Sequence, residues 1–366
     1  MHGISRKFLV AGAVALAGAV AAQTAHAAAD MKVKVYGQVN RALLWADDGN
    51  ESTTYFVDNS NSSTRFGIDG KATLEGGMTV GGKFEAEFQS NASTDVNQNE
   101  EKTDATLKER HMDLWLEGAF GKVSIGQGNT ASNETSEVDL SGTSVIAYSD
   151  VKQFSGGLFF YDDAAGQLSE VKIKDVFNNL DGLSRDDRLR YDTPSLAGFT
   201  ASASLGSKEF WDVALRYSGA SGETKFAAAV AYADFGDLDK TVDGEINGSA
   251  SVLLPFGLSL TGAAGQKQLD EKLAGRKDDP MFWYGKIAYT AKLAFAGSTT
   301  FGVDYSASND VKKDGDEATT YAAFVVQRLD NYNTELYAGY RSHALDRAGV
   351  DFADVSGLMG GARIKF

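Results

Sequence analysis

The sequence contains no cysteine and only three prolines among its 366 residues. Without cysteine there is no disulfide framework, no thiol nucleophile and no thiolate metal site. Beyond residue 27 the only histidines are His111 and His343, which are too few ligands for a zinc site built on imidazoles. No glycine-flanked nucleophilic serine motif precedes a helix. We therefore expect no catalytic residue, no metal and no cofactor, and we interpret His343, near Arg341, as a solvated residue at a strand end.

Long apolar segments are missing everywhere except at the N-terminus. Arg6 and Lys7 precede an apolar stretch at residues 8–22, and Ala25-His26-Ala27 has the small-x-small pattern of a cleavage site. That stretch has 15 residues, whereas a helix needs about 20 to span the hydrocarbon of a bilayer. We therefore expect residues 1–27 to be a cleaved signal peptide that exports the chain, with residues 28–366 forming the mature domain.

Positive charge is also in deficit. The formal net charge is -15, and it becomes -17 when the leader takes Arg6 and Lys7 away. A surface with this balance repels the phosphate backbone, so nucleic acid is excluded as a partner.

What the chain does have, from residue 32 onward, is alternation of small or apolar residues with polar ones. In residues 79–91, for example, Val80, Phe84 and Phe88 share one strand face, and Lys83 and Glu85 share the other. An unpaired charge in a dry core costs several kcal/mol. The ionic face therefore has to be wet, and the apolar face is then free to contact lipid.

Sixteen segments carry this pattern, and 40 glycines suit closely packed strands with tight turns. We predict an all-β fold, a 16-stranded antiparallel transmembrane β-barrel, because such barrels have an even number of strands. A barrel of this size leaves an aqueous channel in its lumen. The predicted strands are 32–46, 63–75, 79–91, 106–117, 121–129, 186–195, 198–207, 210–219, 223–234, 243–254, 258–268, 280–291, 297–307, 318–329, 333–343 and 355–366.

The connections between these segments alternate in length. Short turns such as 76–77 and 118–120 separate longer polar stretches such as 47–62 and 92–104. Short turns on one rim and long loops on the other are typical of outer-membrane barrels. The longest connection has 56 residues, 130–185, and a loop of that length in a compact domain is usually functional. Residues 158–161 and 171–174 within it have the pattern of a local hairpin.

Several short motifs resemble the general porins of proteobacteria. They are Val35-Tyr36-Gly37-Gln38-Val39, Thr64-Arg65-Phe66-Gly67-Ile68-Asp69-Gly70, Gly121-Lys122-Val123-Ser124-Ile125-Gly126-Gln127, Arg190-Tyr191-Asp192-Thr193-Pro194 and the C-terminal Phe366. The resemblance implies a homotrimer of 16-stranded barrels in the outer membrane of a Gram-negative bacterium, through which small hydrophilic solutes pass passively. It also implies that loop 130–185, which follows the fifth strand, folds inward as a constriction loop.

In this family the constriction loop presents acidic side chains to a basic wall, and opposed charges across water create a transverse field. By that resemblance the loop acids are Glu134, Glu137, Asp139 and Asp150. The basic wall is formed by Arg65, Arg110, Arg188, Arg190, Lys34 and Lys71, and further pore-lining residues are Gln38, Asp69, Lys83, Glu85 and Glu87. Alternation along the strand is inconsistent at Arg110. If Arg110 faces the pore, Asp113 and Glu117 of the same strand fall on the opposite face, toward lipid.

Other residues are assigned to the membrane side. Trp211, Trp283, Tyr289 and Tyr305 are interpreted as girdle residues at the lipid interface, and Arg41, on an otherwise apolar face, as a possible subunit contact. Phe366 and Ile364 form the predicted membrane-assembly signal, read by the barrel-assembly machinery. Outer-membrane lipid and lipopolysaccharide are the expected surroundings of the barrel.

The acidic net charge predicts a weakly cation-preferring pore. The alternative is a substrate-selective outer-membrane channel for a sugar or an anion. A barrel-borne enzyme and an adhesin are less favoured, because the chain lacks a catalytic motif and the acidic loops have no specific cation-binding spacing.

Overall fold

The computed structural model describes residues 31–294 and 296–366. The signal peptide expected at residues 1–27 lies outside them. The described parts contain strands and a few single helical turns. The strands are β1 Met31–Asp47, β2 Ser52–Asp58, β3 Arg65–Thr73, β4 Thr79–Gln89, β5 Thr106–Gly118, β6 Gly121–Asn129, β7 Phe159–Asp162, β8 Gln167–Lys172, β9 Arg185–Asp192, β10 Phe199–Gly206, β11 Trp211–Ser221, β12 Thr224–Asp234, β13 Val242–Leu253, β14 Leu258–Leu269, β15 Met281–Ala294, β16 Gly297–Asn309, β17 Glu317–Leu329, β18 Thr334–Asp346 and β19 Val355–Lys365. The α-helical turns are α1 Ile173–Val176 and α2 Glu271–Ala274.

The strands close into a barrel. Each barrel strand is antiparallel to the next, and β19 returns to pair with β1 from Gln38↔Lys365 to Asp47↔Ser356. The strands β2 and β3 both pair with β1 and are parts of one interrupted strand, separated by a 3-10 turn at Ser60–Ser62. The hairpin β7–β8 is separate from the barrel. The result is a closed 16-stranded antiparallel β-barrel, which confirms the predicted fold class.

One predicted connection was wrong. Residues 47–62 were expected to form a long polar loop, but β2 (Ser52–Asp58) forms a strand there that pairs with the second half of β1. The polar composition of this segment concealed its alternation. Its inward side chains Tyr55 and Val57 are almost fully buried, whereas Phe56 between them is exposed. Burial of that inner face, rather than any strong pattern in sequence, makes the segment a strand.

The two rims differ as predicted. Tight turns at 74–78, 119–120, 222–223 and 254–257 occupy the rim at which β1 begins and β19 ends. Longer connections, including 90–105, 130–184 and 270–280, occupy the opposite rim. The turn after β3 uses Gly76 and Gly77 at φ of 87° and 82°, a backbone conformation that glycine adopts without steric cost.

The outer face of the barrel is apolar. Large side chains such as Val35, Leu114 and Ile125 are at least 60% exposed, and similar residues occur on the outer face of most strands. A belt of this extent matches a barrel whose outer surface contacts acyl chains. The aromatic residues Trp211, Trp283, Tyr289 and Tyr305 are all exposed on this face, as expected for girdle positions. Within 31–294 and 296–366, no helix has both the length and the apolar character needed to cross a bilayer.

The inner face is divided into two halves by residues 130–184, which we call the inner loop. The inner loop packs on the inner faces of β11 to β18 and on the long-loop ends of β1, β2 and β19, which together we call the covered wall. We call the inner faces of β3, β4, β5 and the first half of β1, with Arg185 of β9 and the end of β19 at Arg363 and Lys365, the open wall. Between the inner loop and the covered wall lies an apolar cluster that includes Val145, Ile146, Phe154 and Phe177 of the loop and Phe282, Phe324, Tyr337 and Met359 of the strands. The expectation of a wet inner face around all sixteen strands was therefore wrong for the covered wall.

Candidate functional site

A cavity of about 1140 Å³ lies between the inner loop and the open wall. Charged side chains of both signs line it. The basic ones are Arg65, Lys108, Arg110, Lys152, Lys174, Arg185, Arg363 and Lys365, and the acidic ones are Glu87, Glu134, Glu137, Asp150 and Asp181. The acids from Glu134 to Asp181 belong to the inner loop, whereas most of the cations belong to barrel strands. The cavity is thus a polar, water-accessible space in which four of the five acids lie on the loop side and six of the eight cations lie on the strand side.

On the open wall, carboxylates of β4 organise the arginines. Arg110 Nε donates to Glu85 Oε1 over 2.7 Å, and its Nη1 donates to Glu87 Oε2 over 2.9 Å. The Tyr36 hydroxyl donates to Glu85 Oε2 over 2.8 Å, and Arg65 Nη1 lies 3.7 Å from Glu85 Oε1. Charge-assisted bonds of 2.7 and 2.9 Å fix the Arg110 guanidinium at the cavity surface, and Arg65 lies beside the same carboxylate in a longer ion pair.

A β-bulge explains how Arg110 reaches this surface. The pairing of β4 with β5 runs from Glu85↔His111 directly to Ala86↔Glu109, so Arg110 is an extra residue in β5. A bulge of one residue reverses strand parity beyond it. Arg110 and Asp113 consequently both point inward, which removes the parity conflict noted in the sequence.

On the loop side, Asp181 connects the two ends of the inner loop. Its carboxylate accepts hydrogen bonds from Glu134 N at 2.6 Å, Ser136 N at 2.9 Å and Ser136 Oγ at 2.8 Å. Glu137 accepts a hydrogen bond from Asn179 Nδ2 at 2.9 Å. These contacts hold Glu134 and Glu137 at the cavity surface beside Asp181.

The crowding of these acids changes their protonation. Burial raises the pKa of Asp181 to about 7, in spite of its hydrogen bonds to the backbone. Burial, followed by the negative charges of Asp181, Asp150 and Glu134, raises the pKa of Glu137. The acidic side of the cavity is therefore partly protonated near neutral pH and becomes more negative as the pH rises.

Buried ionic contacts anchor the inner loop to the covered wall. Lys286 Nζ lies 2.7 Å from Asp139 Oδ2 and also donates to Thr143 Oγ1 and Ala147 O at 3.0 and 3.1 Å. Burial opposes ionisation of Asp139, but the adjacent ammonium outweighs it and lowers the pKa of the Asp139 carboxyl. Asp212 of β11 accepts hydrogen bonds from Ala131 N at 3.2 Å and from Ser132 N and Oγ, each at 2.6 Å. These contacts hold residues 131–147 of the inner loop against β11 and β15 of the covered wall.

The structure places the sequence-predicted site residues in three groups. The first group lines the cavity and consists of Gln38, Arg65, Glu87, Arg110, Glu134, Glu137 and Asp150. The second group lies directly behind it: Glu85 binds Arg110, and Lys83 Nζ lies 3.9 Å from Glu85 Oε2. The remaining residues lie elsewhere, at the base of the inner loop, under it, or near the short-turn rim.

Arg188 and Arg190, expected in the basic wall, instead hold the base of the inner loop. Arg188 is only 5% exposed and donates to Asn129 O, Gly126 O and Asp113 Oδ2. Arg190 donates to Asp192 and to Thr130 O at 2.7 Å. Asp139, expected at the constriction, is the partner of Lys286 on the covered wall. Period-two alternation gives the face of a residue but not whether a loop covers it.

Lys34, Lys71 and Asp69 point inward near the short-turn rim, where Lys34 pairs with Asp69 and Lys71 with Lys32 across β1 and β3. They are not among the residues that line the cavity. Their height along the barrel axis, which alternation does not encode, separates them from Arg65, although Asp69 and Lys71 lie only four and six residues from it on the same strand.

Seven charged cavity residues were missed from sequence: Lys108, Lys152, Lys174, Asp181, Arg185, Arg363 and Lys365. Arg363 and Lys365 lie on the ionic face of the last predicted strand, so their parity was visible, but their closeness to Arg65 depends on closure of the barrel. Glu335 of β18 accepts a hydrogen bond from Arg363 Nε at 2.6 Å, and Lys365 Nζ lies 3.5 Å from it. Arg185 Nη2 lies 3.7 Å from Glu134 Oε1 across the cavity edge.

The C-terminus closes the barrel seam. Gly37 N donates to Phe366 O and Phe366 N donates to Gly37 O, each over 3.0 Å. A Cβ on Gly37 would lie 2.6 Å from the Phe366 ring, so the ring requires glycine at that position. Ile364 pairs with Val39 and is exposed on the outer face.

His343 is not solvated, contrary to the sequence-based interpretation. It is 0% exposed, and its Nε2 lies 3.2 Å from the Ser155 hydroxyl of the inner loop. This pair lacks the features of a nucleophile and its base, because both residues are buried and His343 Nδ1 has no orienting partner. Throughout the described parts of the chain, no group of three or more His, Cys, Asp or Glu side chains is placed to hold a metal ion.

Comparisons with known proteins agree with this architecture. A family model for Gram-negative porins matches residues 10–347, whereas no curated protein matches the chain. Among solved structures, the anion-selective porin from Comamonas acidovorans superposes with a TM-score of 0.60 at 16% identity, covering 92% of this chain and 100% of that one. The trimer form of in-vitro folded OmpT from Vibrio cholerae gives 0.57 at 16%, with coverages of 92% and 99%. The outer membrane channel DcaP of Acinetobacter baumannii gives 0.57 at 14%, with coverages of 94% and 100%.

Proposed function

We infer the function of this chain from its membership of the Gram-negative porin family, to which it belongs because the family model covers residues 10–347. It is an outer-membrane channel for small solutes, and neither the family nor the fold indicates an enzyme. We propose that solutes pass by diffusion along the open wall. The observation that carries this proposal is the cavity of about 1140 Å³, lined by charged groups on both sides.

The arrangement of charges favours small hydrophilic solutes. Water in the cavity lies between the loop acids, represented by Glu137 and Asp181, and the arginines of the open wall, represented by Arg65 and Arg110. A transverse field between such groups orients polar solutes, while an apolar solute gains nothing from it. The covered wall contributes no path, because the apolar cluster fills the space beneath the inner loop.

We propose a weak preference for cations. Eight basic and five acidic residues line the cavity, but Glu85, Glu335 and Asp95 lie in ion pairs with Arg65, Arg363 and Lys174, which are among those basic residues. The local charge is therefore close to balanced. The sign of the preference is then set by the long-loop rim, where residues 90–105 contain four acids and one base, and where low ionic strength extends their influence.

The test is the reversal potential of the purified protein in a planar bilayer with a salt gradient. We expect a small reversal potential whose sign indicates cation preference. This potential should grow when the salt concentration is lowered on both sides. A clear anion preference would contradict the assignment. A bilayer without discrete conductance steps, or liposomes that do not swell in small sugars, would contradict the channel itself.

The second candidate, an anion-selective channel, rests on the same lining. Basic residues outnumber acidic ones at the cavity surface itself, and a solved structure of the same fold is described as an anion-selective porin. Saturable block of the current by a carboxylate or phosphate solute, at concentrations that leave sugar permeation unchanged, would favour this candidate over a general pore.

We also propose that the chain functions as a homotrimer, as the trimer form of Vibrio cholerae OmpT does. Arg41 supports a subunit contact. It lies on the outer face with 44% of its side chain exposed, where a lipid-facing cation is unfavourable, and its Nη1 donates to Ser90 O and Oγ. We further propose that the barrel contacts lipid and lipopolysaccharide. We also propose that the assembly machinery recognises Phe366 and that the N-terminal signal exports the chain. Cross-linking of the detergent-purified protein tests the oligomeric state.

A further inference from the structure

The chain that follows β1 along the barrel wall contains more residues than pairing with β1 requires. The pairing of β1 with β2 ends at Arg41↔Asp58, and its pairing with β3 ends at Gln38↔Arg65. Between these two pairs β1 has two residues, whereas the neighbouring chain has six, 59–64, which is four in excess of one-to-one pairing. Extra residues in a strand stay unpaired and bend the chain away from the ladder. We call residues 59–64 the inward turn.

The excess residues fold into the lumen. Successive residues of a strand point to opposite faces, yet four consecutive residues of the turn line the cavity, namely Ser60, Asn61, Ser62 and Ser63. From the inner face of β1, Gln38 Nε2 donates to Ser62 O over 3.1 Å and to Ser63 O over 2.7 Å. The turn thus adds a step of backbone and small polar side chains to the open wall.

Hydrogen bonds on three sides hold the inward turn in place. Within the turn, Asn59 Oδ1 accepts hydrogen bonds from Asn61 N at 3.0 Å and from Asn61 Nδ2 at 2.8 Å. From β1, Asn40 Nδ2 donates to Ser62 O over 2.8 Å. From β3, Arg65 Nη2 donates to Ser62 Oγ over 2.9 Å. Segments with many buried hydrogen bonds open least readily, so we expect the turn to keep its shape when a solute enters the cavity.

The inward turn is also bonded to the inner loop, which closes the gap between them on one side. Asn59 Nδ2 donates to Val145 O of the loop over 2.8 Å. The Ser93 hydroxyl forms a second bridge, because its Oγ accepts a hydrogen bond from Ser60 N at 3.0 Å and donates to Gln153 O of the loop over 2.7 Å. A solute in the cavity therefore has to pass in front of the turn and not behind it.

We propose that the inward turn sets the largest size of solute that passes the channel, and that Asn61 is the residue that determines this limit. Ser62 and Ser63 are 7% and 5% exposed, whereas Asn61 is only partly buried and has the longest side chain of the four lining residues. Pore diameter, hydrogen-bonding groups and electrostatic barriers determine what a channel admits. The four side chains carry no charge, so the turn acts through the first two of these and the charged residues through the third.

The test rests on the channel function proposed above and measures permeation of sugars of increasing size into liposomes that contain the full mature protein. Asn61→Trp fills the space in front of the turn, and we expect it to lose permeation of a trisaccharide while permeation of a monosaccharide persists. Asn61→Gly, which keeps the backbone N–H that donates to Asn59, is expected to raise the trisaccharide rate and the single-channel conductance. The reversal potential in a salt gradient is expected to stay unchanged in both variants, because neither changes a charge.

The matched control is Thr54→Trp, which adds the same ring on the outer face of β2, opposite Trp45 of β1. It is expected to pass every sugar at the wild-type rate. If tryptophan at position 61 prevents folding, Asn61→Gly alone decides the outcome. Wild-type rates for all sugars in the folded Asn61 variants, or the same losses in Thr54→Trp, would overturn the role of the inward turn. A wild-type protein that neither conducts nor admits a monosaccharide would overturn the channel function instead.

Discussion

The open wall and the covered wall are made from the same alternating strands, yet they hold charge in different ways. On the open wall, Arg65 and Arg110 share Glu85 at the surface of a wet cavity. On the covered wall, Lys286 and Arg341 are 3% and 1% exposed, and each has one carboxylate partner. We propose that the charges at the cavity surface influence which solutes pass, whereas the buried pairs connect the inner loop to the covered wall. Arginine is thus partly exposed at the cavity on one wall and fully buried in an ion pair on the other.

The largest effect is expected on the covered wall, from Lys286→Met. The change leaves the Asp139 carboxylate buried without its cation, which costs about 3–5 kcal/mol. Hydrogen exchange of the loop amides around residues 139–147 should accelerate accordingly, while exchange in β3 and β4 should be unchanged. The double variant with Asp139→Leu removes both charges and should recover most of the protection. Unchanged exchange in Lys286→Met would show that this pair does not hold the loop.

A smaller effect is expected from Asp212→Ala at the base of the inner loop. It leaves the amides of Ala131 and Ser132 without their acceptor. Each buried group that loses its hydrogen bond costs about 1–3 kcal/mol of stability. Limited proteolysis should then cut near residues 130–136. Asp212→Asn, which keeps one acceptor oxygen, should be cut more slowly. Equal resistance of all three proteins would contradict an anchoring role.

On the open wall, Arg65→Gln should alter selectivity rather than stability. Its side chain is 21% exposed beside Glu85, so removal of the cation makes the cavity more negative and should shift the reversal potential toward stronger cation preference. Arg188→Gln is the comparison, because Arg188 binds the loop base and does not line the cavity. An equal shift in both variants would mean that the cavity is not where ions are selected.

The smallest effect is a pH dependence of that selectivity. Carboxyl groups with a raised pKa are ionised above it and neutral below it, and the pKa of Asp181 is about 7. Cation preference should therefore decrease smoothly as the pH falls from about 8 to about 6. Asp181→Asn should flatten this slope. A cation preference that rises in acid, or a wild-type slope retained by the variant, would remove Asp181 from the path.

The fold was predictable because alternation, turn chemistry and rim asymmetry all repeat along the chain. Each of these signals is local, and an even strand count makes β1 and β19 antiparallel, as their pairing requires. The exception, β2, is short and polar, and its inner residues Tyr55 and Val57 gain their burial from distant parts of the chain. The bulge at Arg110 was visible only as a conflict with Asp113.

The site was less predictable because alternation indicates only which face of the sheet a residue lies on. It does not indicate the position of the residue along the barrel axis or whether the inner loop covers it. Arg65 and Lys71 share a strand face, yet only Arg65 reaches the cavity. Asp139 and Glu137 are two residues apart in the same loop, but one binds Lys286 and the other lines the cavity. These differences depend on how the inner loop folds on the barrel, which involves contacts more than 100 residues apart in sequence.

The most direct measurement of the division between the two walls is the reaction of single cysteines with charged thiol reagents during conduction, since the chain has no cysteine of its own. Lys108→Cys lies at the cavity surface of β5, and Ala322→Cys lies at a covered-wall position that is 5% exposed. Rapid stepwise block of the Lys108→Cys channel and none of the Ala322→Cys channel is the predicted result. Equal reaction rates at the two positions would contradict it.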